Sequence, residues 1–376
     1  MIIKNVQIFG KDLQFHQGDI SIAEGKFISP GKENDEFIDG TGLFAIPGLI
    51  DIHFHGCKGD DFCDASLEGI ERIAAYQASV GVTSICPASM TLPQEELHTI
   101  MRIAGEYVSK EHAPVHAKLV GINMEGPFIS EVKKGAHVKE YIQNCDARQF
   151  RALQEASGGL IKLVDVAPDT EGALEFIAAV KDEVVVSLAH TAADYDLASK
   201  AFQTGARHVT HLYNAMPPFN HRDPGVIGAA IDAANCHVEL ICDGIHIHPT
   251  VVRATFAMFG PERVVLISDS MRATGLSDGQ YSLGGQEVLL KDGKCTLEDG
   301  TIAGSSRNLM ECLRIAVTQM NIPLEQAVAA ATVNPAKAIG INDFCGSITS
   351  GKAADLVLLD QELNVKAVFV EGCQIQ

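Results

Sequence analysis

Residues 48–61 read GLIDIHFHGCKGDD. The apolar, β-branched run that begins at residue 46 carries straight into His53, Phe54 and His55 and then breaks at Gly56. A short apolar run bounded by turn residues reads as a strand buried on both faces. Side chains at i and i+2 of a strand share a face. His53 and His55 can therefore converge on one ion, while Phe54 faces the surrounding helices. Two imidazoles at one strand end raise the question of what else arrives there.

Working outward, seven further runs of the same kind occur at 82–88, 118–125, 161–168, 184–190, 207–211, 237–243 and 263–269. Helical patterns separate them, among them SLEGIERIAAYQASVG, ARQFRALQEASG, EGALEFIAAVKD and DYDLASKAFQTG. Eight buried strands alternating with helices predict parallel βα units closed into a (β/α)8 TIM barrel. An open doubly wound sheet is the alternative, but no G-x-G-x-x-G follows any run. A hairpin-like insert at 279–304 follows the last strand, and helical segments around 305–319 and 323–338 end the middle region. Both ends read differently, as short strands punctuated by Gly and Asp: MIIKNVQIF, GDISIAEGKFIS and EFIDGTGLFAIPG at the start, GSITSGKAADLVLLD and VKAVFVEGCQIQ at the finish. The expected division is a small β-sandwich domain built from both termini, 1–48 and 343–376, around a barrel at 49–342.

The chain has 376 residues, 46% apolar and 20% charged, with a formal net charge of −19. The composition is that of a globular protein. So acidic a chain repels nucleic acid and anionic membrane, so neither is expected as a partner, and an anionic substrate would need specific local cations. The ten cysteines form no C-x-x-C pair, and MIIKNVQIFG lacks a basic segment followed by a long apolar one. Reduced thiols and a cytoplasmic location are the expectation, with no spanning helix.

The last residues of the strands carry the chemistry. The first ends in His53 and His55, the third in Glu125, the fifth in His190 and the sixth in His211. The seventh leads into Asp243 and His246, and the eighth ends in Asp269. In a TIM barrel that end is the active-site face. A lone histidine is usually a packing residue; six candidates at the ends of separate strands are not explained by packing. In RHVTH, His208 and His211 are three apart, so only one should enter the barrel. His211 is preferred, with His208 as a polar tip behind the sheet. His16, His98, His112, His116, His221 and His237 read as surface or turn residues, and Lys133 and Lys134 as solvated loop charges. Imidazoles plus carboxylate suit a borderline divalent ion such as Zn²⁺ or Fe²⁺. With a water activated beside it, Asp269 could accept a proton and pass it on, which points to hydrolysis of an amide or a related bond.

PGLIDIHFHG, followed far downstream by GSITSGKAADLVLLD, resembles the amidohydrolase superfamily from end to end. GINMEGPFISEVKKGAH, SLAHTAADY, HVTHLYNAMPPFNHRDPG, ICDGIHIHP, LISDSMRATG and TIAGSS are together similar to the N-acetylglucosamine-6-phosphate deacetylases within it. The resemblance implies Glu125, His190 and His211 as principal metal ligands and Asp269 as general base and acid, itself close enough to count among the ligands. It implies His246 as the group that polarises the acetyl carbonyl. Ala136, His137, Asn214, Ala215, Asp243 and the segment Ile302, Ala303 and Gly304 would line the sugar phosphate. Arg222 would reach the phosphate in a neighbouring subunit of a homodimer. Members of this family differ at His53 and His55, whose presence here implies one or two ions per subunit, with Glu125 bridging where two bind. No Lys ends the fourth strand. Other readings are a deacetylase for another N-acetylhexosamine phosphate such as the galactosamine epimer, a cyclic-amide hydrolase or aminohydrolase on the same scaffold, and a non-catalytic scaffold.

Overall fold

The computed structural model describes residues 1–29, 37–110, 112 and 114–375. Glu36, the first residue of the third amino-terminal strand expected from the sequence, lies outside them. The protein is a mixed α/β structure. Its central strands are Leu49–Asp51, Val82–Ile85, Lys118–Leu119 with Ile122–Met124, Ile161–Val166, Val185–Leu188, His208–Val209, His237–Ile241 and Val264–Ile267. They are called the first to the eighth strand below. All their pairings are parallel and follow chain order.

The third strand is broken in two. Lys118–Leu119 pairs with the second strand and Ile122–Met124 with the fourth. A parallel bridge between Ala88 and Asn123 links the two groups. Beyond the strand ends, the Asp269 N–H donates to the His53 carbonyl at 2.9 Å and the His55 N–H to the Ser270 carbonyl at 2.7 Å. The loops after the first and eighth strands are thus joined.

The helices between these strands bury one apolar stripe each. Leu67–Ser79, capped by the Ser66 side chain on the Gly69 N–H, turns Ile70, Ile73 and Ala74 inward. Phe54 packs in that same cluster, as the alternation around His53 and His55 predicts. The expected helix over 323–338 is two, Leu324–Ala331 and Val333–Ala338, because Thr332 leaves helical geometry at φ −136°, ψ −72°. The insert after the eighth strand is a three-stranded antiparallel sheet, Gly279–Leu283, Gln286–Lys291 and Lys294–Thr296. The chain ends meet in one sheet, where Leu356–Leu359 pairs antiparallel with Phe44–Pro47. All ten cysteines are free thiols. No helix among the described residues is long and apolar enough to cross a membrane.

Candidate metal centre and substrate cavity

The strand ends deliver their side chains to one place. Glu125 is the hub. Its Oε1 lies 3.1 Å from His190 Nε2, 3.2 Å from His211 Nε2 and 3.5 Å from His53 Nε2, while Oε2 lies 3.4 Å from His55 Nε2. Asp269 Oδ1 is 3.4 Å from His55 Nε2 and 3.8 Å from His53 Nε2. Three of these residues sit just past their strands with left-handed backbones, at φ +42° for His190, +28° for His211 and +49° for Asp269. Non-glycine residues adopt that region at a cost, and such strain gathers at functional sites. Here it accompanies the turn of His190 and His211 onto Glu125 and of Asp269 onto His53 and His55.

Hydrogen bonds fix two of the rings. His190 donates Nδ1–H to the Lys133 carbonyl at 2.8 Å, and His53 donates Nδ1–H to Glu239 Oε2 at 3.0 Å. In a neutral imidazole the other nitrogen is then a bare lone pair. Both lone pairs face Glu125 Oε1, an acceptor facing acceptors, which is repulsive unless a cation lies among them. Two of the donor groups that could hold such an ion are His53–Glu125–His211 and His53–His55–Asp269, each with atoms within 4.8 Å of one another. The residues therefore fit a divalent metal, and the outward hydrogen bonds of His53 and His190 are the usual support for metal-bound imidazole.

Protons on these rings answer the same demand for positive charge. Burial would raise the Glu125 pKa, but the charge of His53 and hydrogen bonds from His137, His190 and His211 hold it well below the usual range. Burial would likewise lower His53, yet the carboxylates of Glu125 and Glu239 raise it well above the ordinary value. Asp269 stays low despite burial, through its bond to His55 and the charge of His53. A second pair stands apart. His246 gives Nδ1–H to Asp243 Oδ2 at 2.8 Å, and that carboxylate raises its pKa against the effect of burial.

A cavity of about 390 Å³ opens above the cluster. Ala136, His137, Asn214, Ala215, His246, Ile302, Ala303 and Gly304 all line it, beside His55, Glu125, His190, His211 and Asp269. Asp243 stands behind His246 and does not line it. Arg222 is exposed on its own chain and is not among the lining residues. Gly135, at φ +55°, lets the loop approach His190, whose Cε1 would lie 3.1 Å from an added Cβ.

Three expectations are corrected. His208 is not behind the sheet: it is fully buried, with Nδ1 3.0 Å from Ser187 Oγ and 3.8 Å from Glu239 Oε1. Strand alternation fails there because the strand ends at Val209 and His211 turns left-handed. Lys133 is half-buried rather than free on its loop: it lines the cavity, its Nζ lies 3.4 Å from the Met216 carbonyl and its own carbonyl holds His190. His237 opens the seventh strand and is half-buried, which pushes its pKa down to about 4. Sequence reasoning also missed Glu239. Its signal was available: an acid inside the apolar run HVELICD must have a partner.

The amidohydrolase family model matches residues 44–375. The chain belongs to the amidohydrolase family. This amidohydrolase is 37% identical, over 99% of its length and 96% of the relative's, to the N-acetylglucosamine-6-phosphate deacetylase of Bacillus subtilis (strain 168). It is 32% identical to the N-acetylgalactosamine-6-phosphate deacetylase of Escherichia coli O157:H7, over 87% of this chain and 86% of that one. Among solved structures it matches a mutant N-acetyl-D-glucosamine-6-phosphate deacetylase from Mycobacterium smegmatis in complex with N-acetyl-D-glucosamine-6-phosphate. The TM-score is 0.92 at 31% identity, covering 100% of this chain and 99% of that one.

Proposed function

We propose that this amidohydrolase removes the N-acetyl group of N-acetylglucosamine 6-phosphate, giving glucosamine 6-phosphate and acetate, a step of amino-sugar catabolism. The observation that carries the reading is the convergence of Glu125, His190, His211 and Asp269 on the floor of one cavity. Full-length likeness to deacetylases supports it. The fold behind it is a closed (β/α)8 barrel, supported by the hydrogen bonds between the first and eighth strand ends. The terminal sheet folds over as a sandwich, supported by Phe27 and Phe369, from well-separated strands of that sheet, sharing one apolar cluster.

Glu125, His190 and His211 hold a divalent ion, zinc or iron, and His53, His55 and Asp269 hold a second ion or strengthen the first. When bound, the metal supplies a Lewis acid that polarises the amide and makes water acidic near neutral pH. Asp269 is ionised and faces the cavity, so it takes a proton from the attacking water and returns it to the departing amine. His246, charged through Asp243, offers Nε2–H to the carbonyl oxygen as negative charge develops there. Arg222 contacts the phosphate across a homodimer interface, where its forked donors suit a phosphoryl group.

Asp269→Asn keeps the size of the side chain and removes the proton acceptor. Acetate release in the metal-loaded variant should fall about 10²–10⁴-fold. Near-normal turnover would sink the mechanism. The galactosamine epimer is a second reading, favoured by the likeness to the Escherichia coli enzyme. Comparing kcat/KM for the two epimers decides between them.

A further inference from the structure

Glu239 is fully buried, in the middle of the seventh strand. An ionised carboxylate there is costly unless it is paired. Only one of its oxygens is satisfied. Oε2 accepts both the Nδ1–H of His53 and the backbone N–H of His211, each at 3.0 Å. Oε1 has no hydrogen-bond partner among the described residues, and His208 Nδ1 stands off at 3.8 Å. One oxygen thus grips a ring just past the first strand and a strained backbone after the sixth. Both belong to the donor group His53–Glu125–His211.

We propose that Glu239 is a positioning residue of the metal centre, setting the affinity with which His53 and His211 hold metal there. This rests on reading the cluster as a metal centre. Its bond to His53 keeps the proton on Nδ1 and leaves Nε2 bare, and its negative charge passes through the ring to strengthen that donor. Its bond to the His211 N–H holds the left-handed turn that aims the second imidazole. A purely structural pair would stabilise the fold and leave metal affinity alone.

The test is Glu239→Gln, titrated with buffered free Zn²⁺ and analysed for bound metal. The amide oxygen can keep both hydrogen bonds but carries no charge. Zinc affinity should fall about 10–100-fold. KM should hold, and kcat at saturating zinc should return to within a few-fold of wild type. Glu239→Asp keeps the charge but withdraws it by one methylene from both partners, and should show a similar loss. If Glu239→Gln does not fold, the aspartate variant decides alone. Wild-type zinc affinity in the folded variants overturns the proposal. A wild-type protein that takes up no metal overturns the reading beneath it, and is a distinct result.

Discussion

Lys133 serves this cavity twice, through its backbone and its side chain. The carbonyl fixes the His190 tautomer, and the side chain, with Nζ 3.4 Å from the Met216 carbonyl, is a positive group at the cavity wall. On a chain of net charge −19, an anionic substrate depends on such local cations. Lys133→Ala keeps the carbonyl. Steady-state kinetics should show KM for the phosphorylated substrate rising about tenfold, near 1.4 kcal/mol of a charged contact, with kcat and metal content unchanged. An unchanged KM would return Lys133 to the solvated role its loop position first suggested. His53, His55, Glu125, His190, His211 and Asp269 were legible at this scale because each ends an apolar run that reads as a parallel strand. Lys133 and Glu239 were not, because what they do depends on which nitrogen of a neighbouring ring carries the proton. That is decided by atoms distant in sequence.

At the scale of elements, the eight apolar runs were readable because a strand buried on both faces has no polar alternation to disguise it. The runs were longer than the strands. Only His208–Val209 of 207–211 is paired as strand, and 118–125 is split. Past the last paired residues, His190, His211 and Asp269 turn left-handed, so the apolar runs outlast the strands. His237 shows the same limit in reverse. Its strand register opposite His208 buries a ring that the sequence placed at a turn. Burial, with help from the nearby charges of His208 and Lys337, pushes its pKa down to about 4. A folded-state pKa below the ordinary 6.5 means that the unfolded chain binds the proton more readily. The neutral ring therefore costs nothing above about pH 6.5, and stability is lost as pH falls from there toward 4. Between pH 7 and pH 5 the loss should be about 2 kcal/mol. In His237→Asn, the unfolding free energies from urea melts at the two pH values should differ less than in wild type, by that amount. An equal pH dependence would remove His237 from the account.

At the scale of the whole molecule, Arg222, whose forked cation suits a phosphate, lies outside its own cavity. It is exposed in the segment FNHRDPG, anchored by its N–H on Asn220 Oδ1 at 3.1 Å. The proposed homodimer explains this if the guanidinium completes the neighbour's site. Symmetry makes the idea decisive to test, because a two-fold interface exchanges the residue reciprocally. Asp269→Asn disables the site of its own subunit. Arg222→Ala, by this account, disables the phosphate contact of the other subunit's site and should raise KM far more than it lowers kcat. In a mixed dimer, the subunit with native Asp269 receives Arg222 from the Asp269→Asn subunit, so one site has both groups. With equal co-expression and random pairing, half the dimers are mixed and each has one complete site. Activity at substrate well below KM should then recover to about a quarter of wild type, where each variant alone is far weaker. If Arg222 acts within its own chain, the mixed dimer has no complete site for Asp269→Asn to share. The mixture then gives only the average of its two parents.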